Sequence, residues 1–311
     1  MKPALRHDAT ATPIVLAAIA TGLLTMMDGV VKGLSGTYAP VDLVFMRYVG
    51  GTIVVLPILL VVRPPMPSWD MLRAHAMRGV LVLATAFFFF TALSLLPIIE
   101  AIVFSYLAPL FMALMARVVL GERVSPATGV AIVLGLAGCL VIALGKGLGS
   151  EGFGRDAWGV AAALAAALTY AAAMVLLRAR TGSDHIVGIV TLQNVLACAY
   201  ALPFSLAFGD PGPLFVSAWP ALLAVGVLGT VGHLVFAAAY GRAPAAKIGA
   251  VEYTSFIWAA AIGIVAYGEY PTIATIAGAA LIVAGSLLLL VKPKGGARPA
   301  LAVEDAGAAP G

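Results

Sequence analysis

Apolar runs of about twenty residues follow one another along this chain, each closed by a short polar, Gly- or Pro-rich break. A helix of that length spans the roughly 30 Å of hydrocarbon in a bilayer. The spacing predicts ten helices, at about 13–32, 42–62, 78–96, 98–118, 126–145, 157–178, 186–207, 219–241, 246–267 and 272–291. Residues 1–12 read as an N-terminal tail and 146–156 as a Gly-rich linker. Residues 292–311, polar and rich in Ala, Gly and Pro, read as a disordered C-terminal tail. The first apolar run is long for a signal-peptide core, carries Asp28 and lacks an A-x-A cleavage site, so it is expected to stay as a helix.

The pattern repeats. Shifted by 147 positions, Pro97 falls on Pro244, Tyr106 on Tyr253, Gly121-Glu122 on Gly268-Glu269 and Gly138 on Gly285. The halves are 13–145 and 157–291, with five expected helices each. An odd number of crossings places the second copy upside down. The expected fold is therefore an all-α integral membrane protein of ten transmembrane helices in two inverted five-helix repeats. That is the plan of many secondary transporters, whose solute sites lie between the repeats.

Composition agrees with a membrane chain. Apolar residues make up 62% and charged residues only 10%, against about 25% charged in soluble domains. The 34 glycines suit close helix packing in lipid. The net charge of +4 does not point to nucleic acid, because the basic residues sort by loop. With a cytoplasmic N-terminus and strict alternation, fourteen Lys and Arg fall on the cytoplasmic side, Arg73 and Arg78 among them. Three (Lys32, Lys146, Arg155) fall opposite. This bias puts both termini in the cytoplasm and the protein, as a multi-pass one, in the cytoplasmic membrane. Cys139 and Cys198 lie inside expected spans and read as packing residues.

Leu120-Gly121-Glu122 after the fourth helix and Tyr267-Gly268-Glu269 after the ninth, on this ten-helix frame, resemble the EamA family of the drug/metabolite transporter superfamily. The resemblance spans about 13–291. It implies a cavity between the halves and a cargo drawn from amino acids, vitamins, nucleotide-like metabolites or drugs. The stretch Glu252-Tyr253-Thr254 through Trp258 is similar to branches that include S-adenosylmethionine and riboflavin carriers; other branches export amino acids.

Ionisable and aromatic residues inside spans are the candidate site residues. Asp28 and Arg47 face each other across the first hairpin, either as a structural ion pair or with Arg47 free to receive a substrate carboxylate. Glu252 lies about a turn and a half into the ninth helix, as a cavity-lining proton or cation site. Tyr106 and its repeat mate Tyr253, with Trp258 beyond, suit the wall of a cavity for flat or amphipathic solutes. His233 stands alone in the eighth helix, either a hydrogen-bonded core residue or a proton-coupling one. Gln193 and Asn194 form a polar step in the seventh. Glu100 and Lys247 are repeat mates of opposite charge, read as helix-end anchors or, for Glu100, as a cavity group.

No nucleophile–base pair, phosphate loop, metal cluster or cofactor motif is present in the sequence. The chain therefore reads as no enzyme and as needing no metal or cofactor. Its expected partners are the lipid bilayer and a small-molecule solute, driven by protons or by exchange against a counter-solute. A passive channel or a lipid-modifying membrane enzyme is the competing reading.

Overall fold

The computed structural model describes residues 11–120, 126–145, 154–178, 184–240 and 251–288. The elements found there are helices: α1 (Ala11–Leu34), α2 (Pro40–Val62), α3 (Trp69–Leu95), α4 (Ile98–Ser105), α5 (Ala108–Leu120), α6 (Pro126–Gly145), α7 (Arg155–Arg178), α8 (Ile186–Phe208), α9 (Pro211–Ser217), α10 (Trp219–Tyr240), α11 (Ser255–Tyr267) and α12 (Ile273–Leu288). Six of them (α1, α2, α3, α7, α8 and α10) are long and apolar enough to cross a membrane. Four further apolar stretches are shorter: Ile98–Met112, Gly129–Gly145, Ser255–Tyr267 and Ile273–Leu288. The protein is an all-α, multi-span membrane protein.

Local chemistry sets the helix ends. Pro40 opens α2, where its missing N–H is not needed. Arg63 closes α2 in the left-handed region at φ 49°, and its N–H bonds Leu59 O. Ser68 caps α3 by accepting the Met71 N–H at 3.1 Å, and Asp70 lies in the first turn.

That cap corrects the expected third helix. It begins at Trp69, not at 78, so Arg78 lies within α3 instead of at its cytoplasmic entrance. The helix has 27 residues, about 40 Å at 1.5 Å each, and Arg78 stands about 13 Å from its start.

The expected fourth helix is broken in two. Pro109 has no N–H to give to Ser105 O, and it disfavours α geometry at Ala108. The chain tightens at Tyr106 and Leu107, whose N–H groups bond Val103 O and Phe104 O at 3.1 Å each. The expected ninth helix breaks at the equivalent place without a proline. Thr254 N–H reaches back three residues to Val251 O, and the Thr254 and Ser255 hydroxyls bond Val251 O and Glu252 O. Expected spans over 246–250 and 289–291, and the Gly-Glu pair at 121–122, lie outside the described residues.

Packing follows lipid rules. Large apolar side chains such as Leu60, Val61, Val265 and Ile273 point outward, and the helices meet through small residues. Helix α1 packs chiefly on α10, α3 on α7, α2 on α8 and α6 on α12. At the α2–α10 crossing a Cβ on Gly226 would lie 2.5 Å from the carbonyl carbon and oxygen of Gly50. At the α6–α12 crossing a Cβ on Gly138 would lie 2.5 Å from Gly278 O. At both places backbone lies on backbone, which only glycine permits.

Candidate functional site

The two helix breaks face each other. Tyr106 and Tyr253 stack edge-to-face with ring centroids 5.0 Å apart. Ser255 donates its proton to Glu252 O at 2.6 Å, so the Tyr106 hydroxyl donates to Ser255 Oγ, also at 2.6 Å. Ser286 Oγ–H from α12 donates to Tyr106 O at 2.9 Å. Two carbonyls freed by the breaks, at Tyr106 and Glu252, thus find hydroxyl donors inside the protein. Irregular backbone at membrane depth survives only under such conditions.

A second polar group lies among α2, α3, α8 and α10. Arg78 Nη2 donates to Gln193 Oε1 at 2.9 Å. Asn194 anchors its amide on Val190 O at 2.9 Å. A Cβ on Gly51 would stand 2.1 Å from Asn194 Oδ1 and 3.4 Å from Arg47 Nη1, so this glycine leaves room for both. Gly229 flanks the same guanidinium from α10; a Cβ there would lie 3.0 Å from Arg47 Cζ. Arg47 also lies over the Tyr48 ring, 5.0 Å from its centroid.

His233 Nδ1 lies 2.6 Å from Gly229 O, which can only accept, so Nδ1 carries the proton. Arg47 Nη2, 3.4 Å from that same nitrogen, therefore meets a donor and not a lone pair. Arg47 and His233 are brought together, yet His233 does not satisfy the arginine.

Tyr170 of α7 lies within electrostatic reach of both Arg78 and Glu252. Glu252 in turn acts on Tyr106 and Tyr253. Of the residues picked out by sequence, Tyr106, Tyr253 and Glu252 lie together at the helix breaks, and Arg47 and His233 lie together in the second group.

Three expectations need correction. Asp28 and Arg47 feel each other's charge but form no direct salt bridge, because the guanidinium is turned into the gap between Gly51 and Gly229. Trp258 does not join the tyrosines. It is 38% exposed, and its indole lies on α1, 3.0 Å from where a Gly22 Cβ would stand. Glu100 is buried and accepts the Thr275 hydroxyl at 3.2 Å, so it is held inside the protein and does not reach the interface as an anchor. Lys247 lies outside the described residues.

The end of α1 is tied to α3, α4 and the turn after α11 by an ion pair and its hydrogen bonds. Lys32 Nζ meets Glu269 Oε1 at 2.9 Å and also donates to Leu93 O and Leu96 O, at 3.1 and 2.6 Å. The other carboxylate oxygen of Glu269 accepts the Ile98 N–H at 2.8 Å, at the open N-terminus of α4. Tyr267 OH donates to Gly29 O at 2.5 Å beside this cluster. Near the start of α3, buried His75 Nε2 meets Asp184 Oδ2 at 3.1 Å.

The family model for the EamA-like transporter family matches the chain twice, over 11–144 and 157–291. The chain belongs to the EamA-like transporter family. It is therefore a transporter and not an enzyme, a multi-pass membrane protein that moves a small solute across the bilayer by secondary transport. Among the described residues, no cluster of His, Cys, Asp or Glu has the makings of a metal site.

Several EamA relatives are similar along most of their length. The pseudopaline exporter CntI of Pseudomonas aeruginosa is 26% identical over 93% of this chain and 99% of its own. The aromatic amino acid exporter YddG of Ancylobacter novellus is 30% identical over 73% of this chain and 77% of its own. A riboflavin transporter of Rhizobium johnstonii is 29% identical over 70% and 69%. A crystal structure with 22% identity superposes with a TM-score of 0.62, covering 90% of this chain and 96% of the other, which speaks for the fold.

Sequence reasoning missed Lys32, His75, Arg78 and Tyr170 in this EamA chain. A signal for Arg78 existed: Ser68 with Asp70 two residues on marks a helix start ahead of it. Lys32 and Glu269 lie too far apart in sequence for any local pattern to join them.

Proposed function

We propose that this EamA protein is an alternating-access secondary transporter of ten spans, built as two inverted halves, for a small amphipathic metabolite of amino-acid-like character. The observation that carries the reading is the matched pair of helix breaks. Tyr106-Leu107 and Tyr253-Thr254 fall 147 residues apart, and they meet ring to ring in the interior. Discontinuous helices at the interface of repeats are where secondary transporters bind their cargo. The packing scheme supports the same plan. The shift turns the α1–α10 pair into α7–α3, and both pairs pack closely. Each half thus lays its first helix on the third helix of the other, which suits two halves that rock against each other.

The positive-inside excess persists with Arg78 taken out of the tally, so both termini lie in the cytoplasm and the Lys32–Glu269 closure faces outward. The relatives are bacterial, which favours the inner membrane. Two of the three relatives described above are named as exporters, which favours export of an amino-acid-like solute. The riboflavin transporter keeps a vitamin, or an S-adenosylmethionine-like solute, as the second reading. Tyr106, Tyr253 and Arg47 touch the solute, while Glu252 and His233 serve proton coupling or exchange against a counter-solute.

Counterflow in proteoliposomes tests this, with labelled phenylalanine, tryptophan, S-adenosylmethionine and riboflavin as probes. Protein-dependent accumulation of at least one probe, driven by its unlabelled form or by a pH gradient, is the expected result. Flux that only equilibrates, whatever the gradient, would make the protein a channel.

A further inference from the structure

Among the described residues, two arginines lie inside this protein without a carboxylate in salt-bridge contact. Arg47 is 4% exposed and Arg78 is 6% exposed. A guanidinium has five N–H donors and no acceptor. Among the described residues, Arg47 Nη1 and Arg78 Nε have no hydrogen-bond partner. Arg47 Nη2 faces the protonated nitrogen of His233, and Arg78 Nη2 is met by the neutral amide oxygen of Gln193. The described salt bridges, Lys32–Glu269 and His75–Asp184, leave both arginines out. Asp28 interacts with Arg47 electrostatically but not through a salt bridge.

The two cations are tied to neighbouring residues of α8: Arg78 donates to Gln193, and Arg47 Nη1 and Asn194 Oδ1 both line the space left by Gly51. Gln193-Asn194 of α8 thus connects α2 with α3. Burying two like charges, neither in a salt bridge among the described residues, is costly in a membrane interior. Neutral side chains of the same size would favour folding. The arrangement makes physical sense when an anion that is not part of the chain completes it during the working cycle. A guanidinium fork matches the two coplanar oxygens of a carboxylate.

We propose that Arg78 and Arg47 together form a carboxylate-binding subsite, with Gln193 and Tyr48 positioning the two guanidinium groups, so that the cargo must carry a carboxylate. This rests on the transport reading above and narrows it: free amino acids and other carboxylates qualify, and their amides do not. Arg78 becomes a specificity-determining residue.

The test is arginine footprinting of the purified full-length protein with phenylglyoxal, read peptide by peptide by mass spectrometry. The probes are L-phenylalanine, L-tryptophan and succinate, set against phenylalaninamide, tryptophanamide and inorganic phosphate. Adducts are expected on Arg47 and Arg78 in the absence of probe. At a probe concentration about tenfold above its dissociation constant, mass action leaves about a tenth of the sites free, and adduct formation falls about tenfold. At least one carboxylate should give this protection, and its amide should not. No adduct on Arg78, no protection by any carboxylate, or equal protection by an amide would overturn the proposal. Protection by phosphate alone would overturn it in favour of a phosphate site.

A second measurement separates binding from structure. Arg78→Gln should melt at the same temperature as the wild type or higher, with Gln193 still able to pair, yet lose carboxylate protection at Arg47. A lower melting temperature in Arg78→Gln, restored by Arg78→Lys, would make Arg78 a structural residue. Riboflavin carries no carboxylate, so its counterflow does not depend on this subsite. If carboxylate binding fails while that flux persists, the subsite falls and the transport reading stands.

Discussion

The Lys32–Glu269 contact offers a direct handle on alternating access. Glu269→Gln keeps the shape of the side chain and one acceptor for the Ile98 N–H, now 2.8 Å away, but removes the charge facing Lys32 at 2.9 Å. Lys32 keeps its bonds to Leu93 O and Leu96 O. What is lost is the charge assistance of two hydrogen bonds. Bonds to charged groups are worth about 1.5–3 kcal/mol each. The Lys32 and Glu269 side chains are 13% and 21% exposed, and Gln retains part of each bond. A net loss of about 1–2 kcal/mol from the closed state follows. At about 1.4 kcal/mol per decade, the population open at this end rises about five- to thirtyfold.

A cysteine at Ile99, which is fully buried beside the cluster, reports the opening in a background where Cys139 and Cys198 are replaced by Ala. Maleimide labelling of Ile99→Cys should accelerate about five- to thirtyfold on adding Glu269→Gln. Lys32→Met should accelerate it as well, and the two changes together should not add. Unchanged labelling, or full additivity, would show that the contact does not hold this end shut.

Further outcomes follow from the same geometry. Gly226→Ala should cost about 1–3 kcal/mol and several degrees of melting temperature, because the new methyl meets the Gly50 backbone, which cannot rotate away; a wild-type melting curve would mean that α2 and α10 separate freely. Tyr106→Phe removes the 2.6 Å bond to Ser255 and should cost about 1 kcal/mol while leaving the ring contact with Tyr253 intact; counterflow should slow without loss of expression. Glu252→Gln should abolish pH-driven accumulation while solute exchange persists, and unaltered pH-driven uptake would remove Glu252 from coupling.

Much of this molecule is legible in the chain alone. Apolar run length locates the spans because a helix must satisfy its own backbone in lipid. The 147-residue register aligns Tyr106 with Tyr253 but does not show that both helices break there; only the first break has a proline beside it, Pro109. In the second half, Thr254 and Ser255 produce the same break through hydroxyls that return to the backbone. Nothing in a hydropathy pattern separates those hydroxyls from ordinary polar substitutions.

What the pattern does not determine is which side of each span faces inward. Lipid and a packed interior both favour apolar residues, so the spans are apolar all round and show no inward stripe. For that reason the pattern does not show that the Trp258 indole lies on α1, or that Glu100, read as a helix-end anchor or a cavity group, is buried against Thr275.

The sequence by itself determined the family and the membrane setting, because these depend on residue type and spacing along one chain. Tertiary structure alone decided that Lys32 meets Glu269, that Arg47 turns from Asp28 toward His233, and that Arg78 is an interior residue held by Gln193. Each of those contacts joins residues more than a hundred positions apart. Such a contact is chosen by how helices cross, and the crossing is set by the glycines at which their backbones touch.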